Sequence, residues 1–270
     1  MNTEKEINIL SNRNYEAETS QSTIHGKRVY YVAKRIMDLV IATCLLACLF
    51  PIMLLVGLAI YIYSPGPVFF SQERVGARRR MKSDKEFWEP TTFRCYKFRT
   101  MKVNADSSIH QEYIKALIEN NHEQMQAVQE AATRPRKDRN TEVLLAAQKA
   151  PTRPRKLVDD ARIIAPGKFL RKFSLDELPQ LWNVLRGDMS LIGPRPAIPY
   201  EVEMYKTWHM ERLRAQPGIT GLQQVTARCT TDFDEQVKLD IEYIENQSIW
   251  LDLKIVFQTP LAIIAAKGAH

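Results

Sequence analysis

Leu39-Val-Ile-Ala-Thr-Cys-Leu-Leu-Ala-Cys-Leu-Phe-Pro51-Ile-Met-Leu-Leu-Val-Gly-Leu-Ala-Ile-Tyr-Ile-Tyr63 is an unbroken apolar stretch without a charge. At about 1.5 Å rise per residue it reaches roughly 37 Å as a straight helix, enough to cross a bilayer. It starts too late for a secretory signal and ends in Tyr61, Tyr63 and Ser64 instead of a small-residue cleavage site. A spanning helix is the default reading. Pro51 argues against it, because it removes a backbone donor and clashes with the preceding turn, so it should bend or break the helix. Charge argues the same way. Lys27, Arg28, Lys34 and Arg35 precede the stretch, and Arg74, Arg78, Arg79, Arg80 and Lys82 follow it. Positive flanks prefer the cytoplasm, and a helix that bends at Pro51 and leaves by the face it came from satisfies both. The sequence favours this re-entrant path, with a kinked span as the alternative.

The 270 residues and their apolar fraction allow one sizeable domain plus appendages. The net charge of +7 calls for anionic partners, which nucleic acid, lipid headgroups or a phosphorylated substrate would each supply. Nucleic acid ranks last, since the cations flank an apolar segment and do not line a recognition helix. Cys44, Cys48, Cys95 and Cys229 have no metal-ligand spacing and no disulfide framework, which fits reduced thiols and a cytosolic face.

Residues 1–26 are polar and aperiodic and read as a mobile tail. Ser64-Pro65-Gly66-Pro67 is a turn, Val68-Phe69-Phe70 a short strand or buried connection, and Thr91–Met101 a strand or loop that presents Arg94, Lys97 and Arg99. Ile109, Tyr113, Leu117, Met125 and Val128 recur at helical spacing, and Thr141–Lys149 also looks helical. Thr133-Arg134-Pro135-Arg136-Lys137 returns as Thr152-Arg153-Pro154-Arg155-Lys156, either a headgroup-binding patch or a proline-stiffened basic linker. Pro217–Gly221 reads as a turn-rich loop, and Phe233, Val237, Ile241 and Ile244 mark one face of an amphipathic helix. Trp250–Ala266, interrupted by Asp252, Lys254 and Pro260, suits the core or the membrane interface better than the bilayer interior.

Arg171-Lys172-Phe173-Ser174-Leu175-Asp176-Glu177-Leu178-Pro179-Gln180 sets two adjacent carboxylates at a helix start. Taken alone the segment is a cap: Ser174 and Glu177 form a capping box, or Asp176 is the N-cap, with Pro179 in the first turn. Its company suggests chemistry. Arg171 and Lys172 stand before it and Gly193-Pro194-Arg195-Pro196 after it, and a proline-framed arginine offers a restrained guanidinium fork to phosphate. A carboxylate can attack phosphorus once cations or a metal neutralise the anion, and Asp176 beside Glu177 suits Mg²⁺ through oxygen ligands. Neither a glycine-rich phosphate loop nor a dinucleotide fingerprint is present.

Here the chain resembles a family, the bacterial sugar transferases of the monotopic polyprenyl-phosphate phosphoglycosyl transferase type, from Lys34 to about Ala266. The marks are Lys34-Arg35-Ile36-Met37-Asp38, the run Ser64–Gly76, Tyr96-Lys97-Phe98-Arg99-Thr100-Met101, Ser174–Leu181 and Gly187–Pro196, all in order. The resemblance implies that Asp176 attacks the β-phosphate of a UDP-sugar, releases UMP and holds a phosphosugar that a polyprenyl phosphate, undecaprenyl phosphate being the expected one, then accepts. That reaction opens exopolysaccharide, O-antigen or glycoconjugate synthesis. By the same resemblance Glu177 assists through Mg²⁺ or proton handling, Asp176 and Glu177 hold the metal, and Arg171, Arg195, Arg99, Lys97 and Arg228 bind substrate. Lys34, Arg35 and Asp38 mark the interface, and the membrane helix breaks at Pro51. Two departures stand out: the connection from Val103 to Asp159 is longer than usual, and Leu222–Arg228 carries Gln223 and Ala227 where the family often has an aromatic residue and glycine.

The expected architecture is α/β and mostly helical. It comprises a tail at 1–26, a re-entrant membrane helix hairpin at 27–63 and a small cytosolic catalytic domain at 64–270 with interfacial amphipathic helices and a helical, basic insert at about 103–159. The expected location is the bacterial inner membrane with the catalytic domain on the cytosolic face. Membrane lipids are partners, nucleic acid is not, and a homodimer is compatible with the sequence. The rival reading from another class is a noncatalytic membrane scaffold whose basic loops bind anionic lipids or assembly proteins.

Overall fold

The computed structural model describes residues 27–82, 85–103, 108–119, 121–133, 162–226 and 232–264. The tail at 1–26, the helix expected at Thr141–Lys149, the repeated basic motif beyond Thr133, and Arg228 and Cys229 lie outside the described residues.

The apolar stretch is part of one helix, α1 (Arg28–Tyr63), which is continuous through Pro51. Among the described residues it is the one helix long and apolar enough to cross a membrane. It is buried only near its two ends. Lys34, Asp38 and Ala42 are buried toward the start and Val56 and Ile60 toward the end, and no residue between Ala42 and Val56 is buried. Both ends are held by the same globular body, and the residues between are exposed or half-buried, with Leu46 and Met53 against the two clusters that hold the ends.

That body is mostly helical. β1 (Phe69–Lys82) and β2 (Lys85–Phe98) form a 14-residue antiparallel hairpin in the register Phe69↔Phe98 to Lys82↔Lys85. The strand expected at Val68–Phe70 is therefore much longer, because β1 is rich in polar residues and its outer part runs in solvent, where no apolar alternation is needed. The next helical run divides at Asn121 into α2 (Ser108–Ile118) and α3 (His122–Thr133), Asn121 accepting the Gln124 amide on its side chain. Then come α4 (Ala165–Lys172), a single 3₁₀ turn at Leu175–Glu177, α5 (Gln180–Arg186), β3 (Ser190–Ile192) and α6 (Pro199–Val202). A 3₁₀ segment at Thr207–Leu213, β4 (Gly218–Thr220), α7 (Leu222–Thr226), α8 (Phe233–Glu245) and α9 (Ile249–Ile264) complete the order. Pro217–Gly221, expected as a loop, includes β4, which pairs in parallel with β3 through Ser190↔Gly218 and Ile192↔Thr220. Gly193 and Gly218 are in backbone contact there, with no room for a Cβ at either.

Two apolar clusters fix α1 to the domain. Ala42 joins Phe93, Cys95, Leu181, Val184, Met189, Leu191, Ile192, Tyr243 and Ile255 in one, while Val56 and Ile60 join Phe98, Ile164 and Leu170 in the other. Polar contacts reinforce the first. Lys34 Nζ donates to Asp252 Oδ2 at 2.9 Å, Tyr30 and Tyr243 hydroxyls donate to the same carboxylate, Arg35 donates to the carbonyls of Val184 and Leu185, and Asp38 accepts the Leu191 amide. Lys34, Arg35 and Asp38, expected as markers of the membrane interface, thus bind protein; a buried charge needs a partner, and Asp252 is fully buried. Cys44 and Cys48 are exposed on α1 and Cys95 is buried, all as free thiols. Phe169, Trp182, Trp250, Phe257, Leu261 and Ile264 leave an apolar surface on α4, α5 and α9. α9 is packed on the core through Asp252 and Ile255 and leaves Trp250, Phe257, Leu261 and Ile264 exposed.

Candidate active site

The carboxylate pair sits on a turn stapled against α1. After α4 ends, Ser174 takes φ 55°, the one non-glycine residue with positive φ among those described. A side chain in the left-handed region costs about 1–2 kcal/mol, and the reversal it permits turns Leu175 and Leu178 inward. Leu175 packs on the cluster of Val56 and Ile60, and Leu178 on both clusters. Asp176 and Glu177, between these two anchors, are left half-buried at the edge of the domain nearest the far end of α1. The expected capping box does not form: neither Ser174 nor Pro179, which precedes α5, makes a side-chain cap. Glu177 goes elsewhere, accepting a 2.6 Å hydrogen bond from Lys97 Nζ at the end of β2.

That pairing separates two chemically identical neighbours. Burial first, and the Glu177 charge second, push the Asp176 carboxyl up to about 6, against the pull of Lys97 and Arg171. Glu177 is held in an ion pair while the Asp176 carboxyl takes up a proton at higher pH than an ordinary aspartate, the usual signature of carboxyls with divided roles. Arg171 Nε donates to Thr100 Oγ1 at 2.9 Å, which fixes its guanidinium beside the turn.

Further cations continue from the dyad. Arg74, on β1, is buried and donates to the Pro196 carbonyl and to Gln72 Oε1, and burial followed by the nearby Arg195 lowers its basicity. Arg195 is exposed at the rim. Burial pushes the Cys95 thiol up, and the charges acting on it are Lys97, Arg74, Glu177 and Arg195, so these groups surround one spot. Asn183 makes the scaffold rigid: its side chain accepts the Tyr96 amide and donates to the Arg94 carbonyl, tying α5 to β2 immediately before Lys97.

Of the residues singled out in the sequence, Asp176, Glu177, Lys97 and Arg171 come together, and Arg195 joins them through Arg74. Arg99 is buried and donates through Nη2 to the Ser64 carbonyl, closing the turn after α1, while its Nε and Nη1 make no hydrogen bond. Gly66 makes room for it at φ 129°; a Cβ there would come within 2.6 Å of Arg99 Nη1. Arg74 was visible only as one of several basic flanking residues, and the signal for it was its place in Gln72-Glu73-Arg74-Val75-Gly76, an arginine inside an otherwise well-packed stretch. Among the described residues no three His, Cys, Asp or Glu side chains cluster as a metal cage. Two adjacent carboxylates whose charges repel are nonetheless a suitable donor set for Mg²⁺, which keeps several waters and takes the rest of its oxygens from phosphates.

The sequence profile of the family described as Bacterial sugar transferase matches residues 29–266. The chain belongs to the bacterial sugar transferase family. Its match takes in α1, the hairpin, the dyad turn and α9, so the site lies wholly within the family's shared part. Among curated bacterial sugar transferases it is 40% identical over 205 residues to Galactosyl transferase CpsE of Streptococcus agalactiae, covering 76% of this chain and 36% of that protein. It is 35% identical over 239 residues to Exopolysaccharide production protein ExoY of Sinorhizobium fredii, covering 88% of both. UDP-glucose:undecaprenyl-phosphate glucose-1-phosphate transferase of Escherichia coli K12 is 33% identical over 245 residues, 88% of this chain and 41% of that protein. The chain thus spans well under half of two of these relatives and most of the third.

Proposed function

We propose that this bacterial sugar transferase moves a sugar 1-phosphate from a UDP-sugar to a membrane-held polyprenyl phosphate, undecaprenyl phosphate in the relative whose name specifies one. The observation that carries the reading is the divided dyad: Asp176 raised to about 6 beside a Glu177 already paired with Lys97. An Asp176 oxygen attacks the β-phosphorus, the bond from that phosphorus to the UMP oxygen breaks, and UMP leaves with the bonding pair. The acyl phosphosugar is then attacked at phosphorus by an oxygen of the polyprenyl phosphate, which restores the Asp176 carboxylate. Lys97, Arg171, Arg74 and Arg195 counter the phosphate charge, and Asn183 keeps β2 and α5 from shifting as it builds. Asp176 and Glu177 would hold Mg²⁺, which when bound supplies further charge neutralisation at the phosphates.

The same reading gives α1 a use. Its two ends are packed on one domain, so a membrane that holds the bare middle of the helix leaves both ends on one side; a re-entrant helix bent at Pro51 meets that condition. Asp176 then lies at the cytosolic interface, where a soluble nucleotide sugar and the phosphate of a buried polyprenyl chain can both arrive. The apolar surface of Phe169, Trp182 and Trp250 suits that depth. The test is Asp176→Asn in an assay of UMP release from a UDP-sugar panel with polyprenyl phosphate, alongside mass-spectrometric trapping of the phosphosugar. Release should fall by at least 10³-fold and the adduct should be confined to Asp176; undiminished release, or an adduct elsewhere, overturns the assignment.

A further inference from the structure

β1 opens with two adjacent phenylalanines, Phe69 and Phe70, that the dyad chemistry does not use. Both stay exposed, at 57% and 49%. Strand alternation sends their rings to opposite faces of the hairpin. Phe69 stands opposite Phe98 and stacks on it, with ring centroids 5.3 Å apart, and Phe98 is packed with Val56 and Ile60 at the end of α1. That face of the hairpin rests on α1. Phe70 stands opposite Lys97, and directly opposed residues share a face with Cβ atoms about 4.5–5.5 Å apart. Lys97 is the residue whose ammonium reaches Glu177 Oε1 at 2.6 Å. An exposed aromatic ring therefore flanks the cation of the dyad.

The same register orders the rest of that face. Phe70↔Lys97, Gln72↔Cys95 and Arg74↔Phe93 follow one another in two-residue steps. Cys95 and Phe93 pack with Leu181 and Val184 of α5, while Arg74 donates to Gln72 Oε1 at 2.8 Å and to the Pro196 carbonyl at 3.1 Å. One end of the row thus meets the Gly193–Pro196 loop that carries Arg195. The other end is Phe70, four residues and roughly 13 Å back along the strand. There the chain has just left α1, and the Arg99 amide donates to the Val68 carbonyl at 2.9 Å. The acceptor has to bridge the same two regions. Its phosphate must reach Asp176 while its isoprenoid chain stays in the lipid around α1, so its first units run from the dyad toward the end of that helix. We infer that Phe70 is a binding residue for the acceptor, its ring packing on the first isoprene units of the polyprenyl phosphate. The inference rests on the phosphoglycosyl transfer and membrane placement proposed above. A branched hydrocarbon gains from burial against an aromatic face, whereas the phosphates of the donor are matched by the cations along the row.

The two half-reactions can be measured apart, because the first releases UMP before the acceptor is needed. The experiment uses the full chain in lipid nanodiscs, as wild type, Phe70→Ala and Phe70→Leu. It measures UMP binding, single-turnover UMP release without acceptor, and KM for undecaprenyl phosphate supplied in the disc. Expected for Phe70→Ala is a rise in that KM of about 5–10-fold, the worth of burying half a ring. UMP affinity and the first UMP release should stay within about twofold of wild type. Phe70→Leu, which keeps an apolar surface, should recover most of the acceptor KM. An unchanged acceptor KM in Phe70→Ala overturns the inference. So does a loss of UMP affinity that leucine does not restore, which would mean that the ring stacks on the base. Equal losses in both half-reactions also overturn it, since the ring would then only prop up Lys97. If the wild type turns over and the variants match it, this inference alone fails; if the wild type releases no UMP from any UDP-sugar, the proposed function fails with it.

Discussion

Lys97 donates a 2.6 Å hydrogen bond to Glu177, the immediate neighbour of Asp176, and the cation reaches the dyad from a strand 80 residues earlier in the chain. Two adjacent carboxyls of nearly equal intrinsic acidity are thereby made unequal. The paired one has its charge countered by Lys97, and the other carries the cost of burial and of its neighbour's charge.

A pH profile follows. Since the nucleophile must be ionised, UMP release should fall as pH drops through about 6, the value to which Asp176 is raised. Glu177→Gln removes a like charge and should move that limb to lower pH, although burial, the larger cause, keeps part of the shift. Lys97→Met removes an opposite charge and should move the limb to higher pH. Single-turnover UMP release between pH 5 and 8 measures all three; limbs that coincide would show that another group controls the rate.

The same shift has a stability side. A carboxyl raised in the folded state binds more protons there than in the unfolded chain between pH 3.8 and about 6, so stability falls as pH rises through that window and the full cost stands above it. Asp176→Asn removes the cost. It should stabilise the protein by on the order of 1–2 kcal/mol at pH 7.5, with the gain vanishing below pH 4. Thermal unfolding of wild type and variant across this range reads the difference directly.

Lys34 and Asp252 form the buried ion pair that fastens α1 to α9, with side-chain exposures of 8% and 0%. Lys34→Met leaves the Asp252 carboxylate in the core with only the Tyr30 and Tyr243 hydroxyls, which should cost about 3–5 kcal/mol. Pairing it with Asp252→Leu removes the orphaned charge and should return most of that loss. Denaturant unfolding of the singles and the double in nanodiscs completes the cycle, and additive losses would mean that the two residues do not interact.

What could be read from the sequence was local. The apolar stretch, the dyad with its upstream arginine, and the faces of α8 and α9 depend on neighbouring residues, and each is visible in a short window. The hairpin was underestimated because Gln72, Glu73 and Arg78–Arg80 lack alternating hydrophobicity, and β4 was hidden in Pro217–Gly221, whose proline and glycines signal a turn. Lys34, Arg35 and Asp38 were noticed without their partners, which lie 218, 149 and 153 residues away. Arg99, a substrate ligand by the resemblance, also donates to the Ser64 carbonyl, a contact across 35 residues that no short window shows. Nothing in a single sequence ties such pairs together.

The anchoring of both ends of α1 on one domain makes the topology testable with single cysteines. Val29 near the start of the helix and Met81 on the hairpin are both exposed, while the native Cys44 and Cys48 lie exposed on the helix between Ala42 and Val56. In a background with all four native cysteines changed to serine, Val29→Cys and Met81→Cys should both react with a membrane-impermeant maleimide in inside-out vesicles, and neither in intact spheroplasts. Restored singly, Cys44 and Cys48 should be protected in both preparations and react only after detergent. A spanning helix predicts instead that Val29→Cys and Met81→Cys label from opposite sides. That result would require the contacts of Lys34 with Asp252 and of Val56 and Ile60 with Leu170 not to coexist in the membrane, because a bilayer would separate the two ends that one domain here holds together.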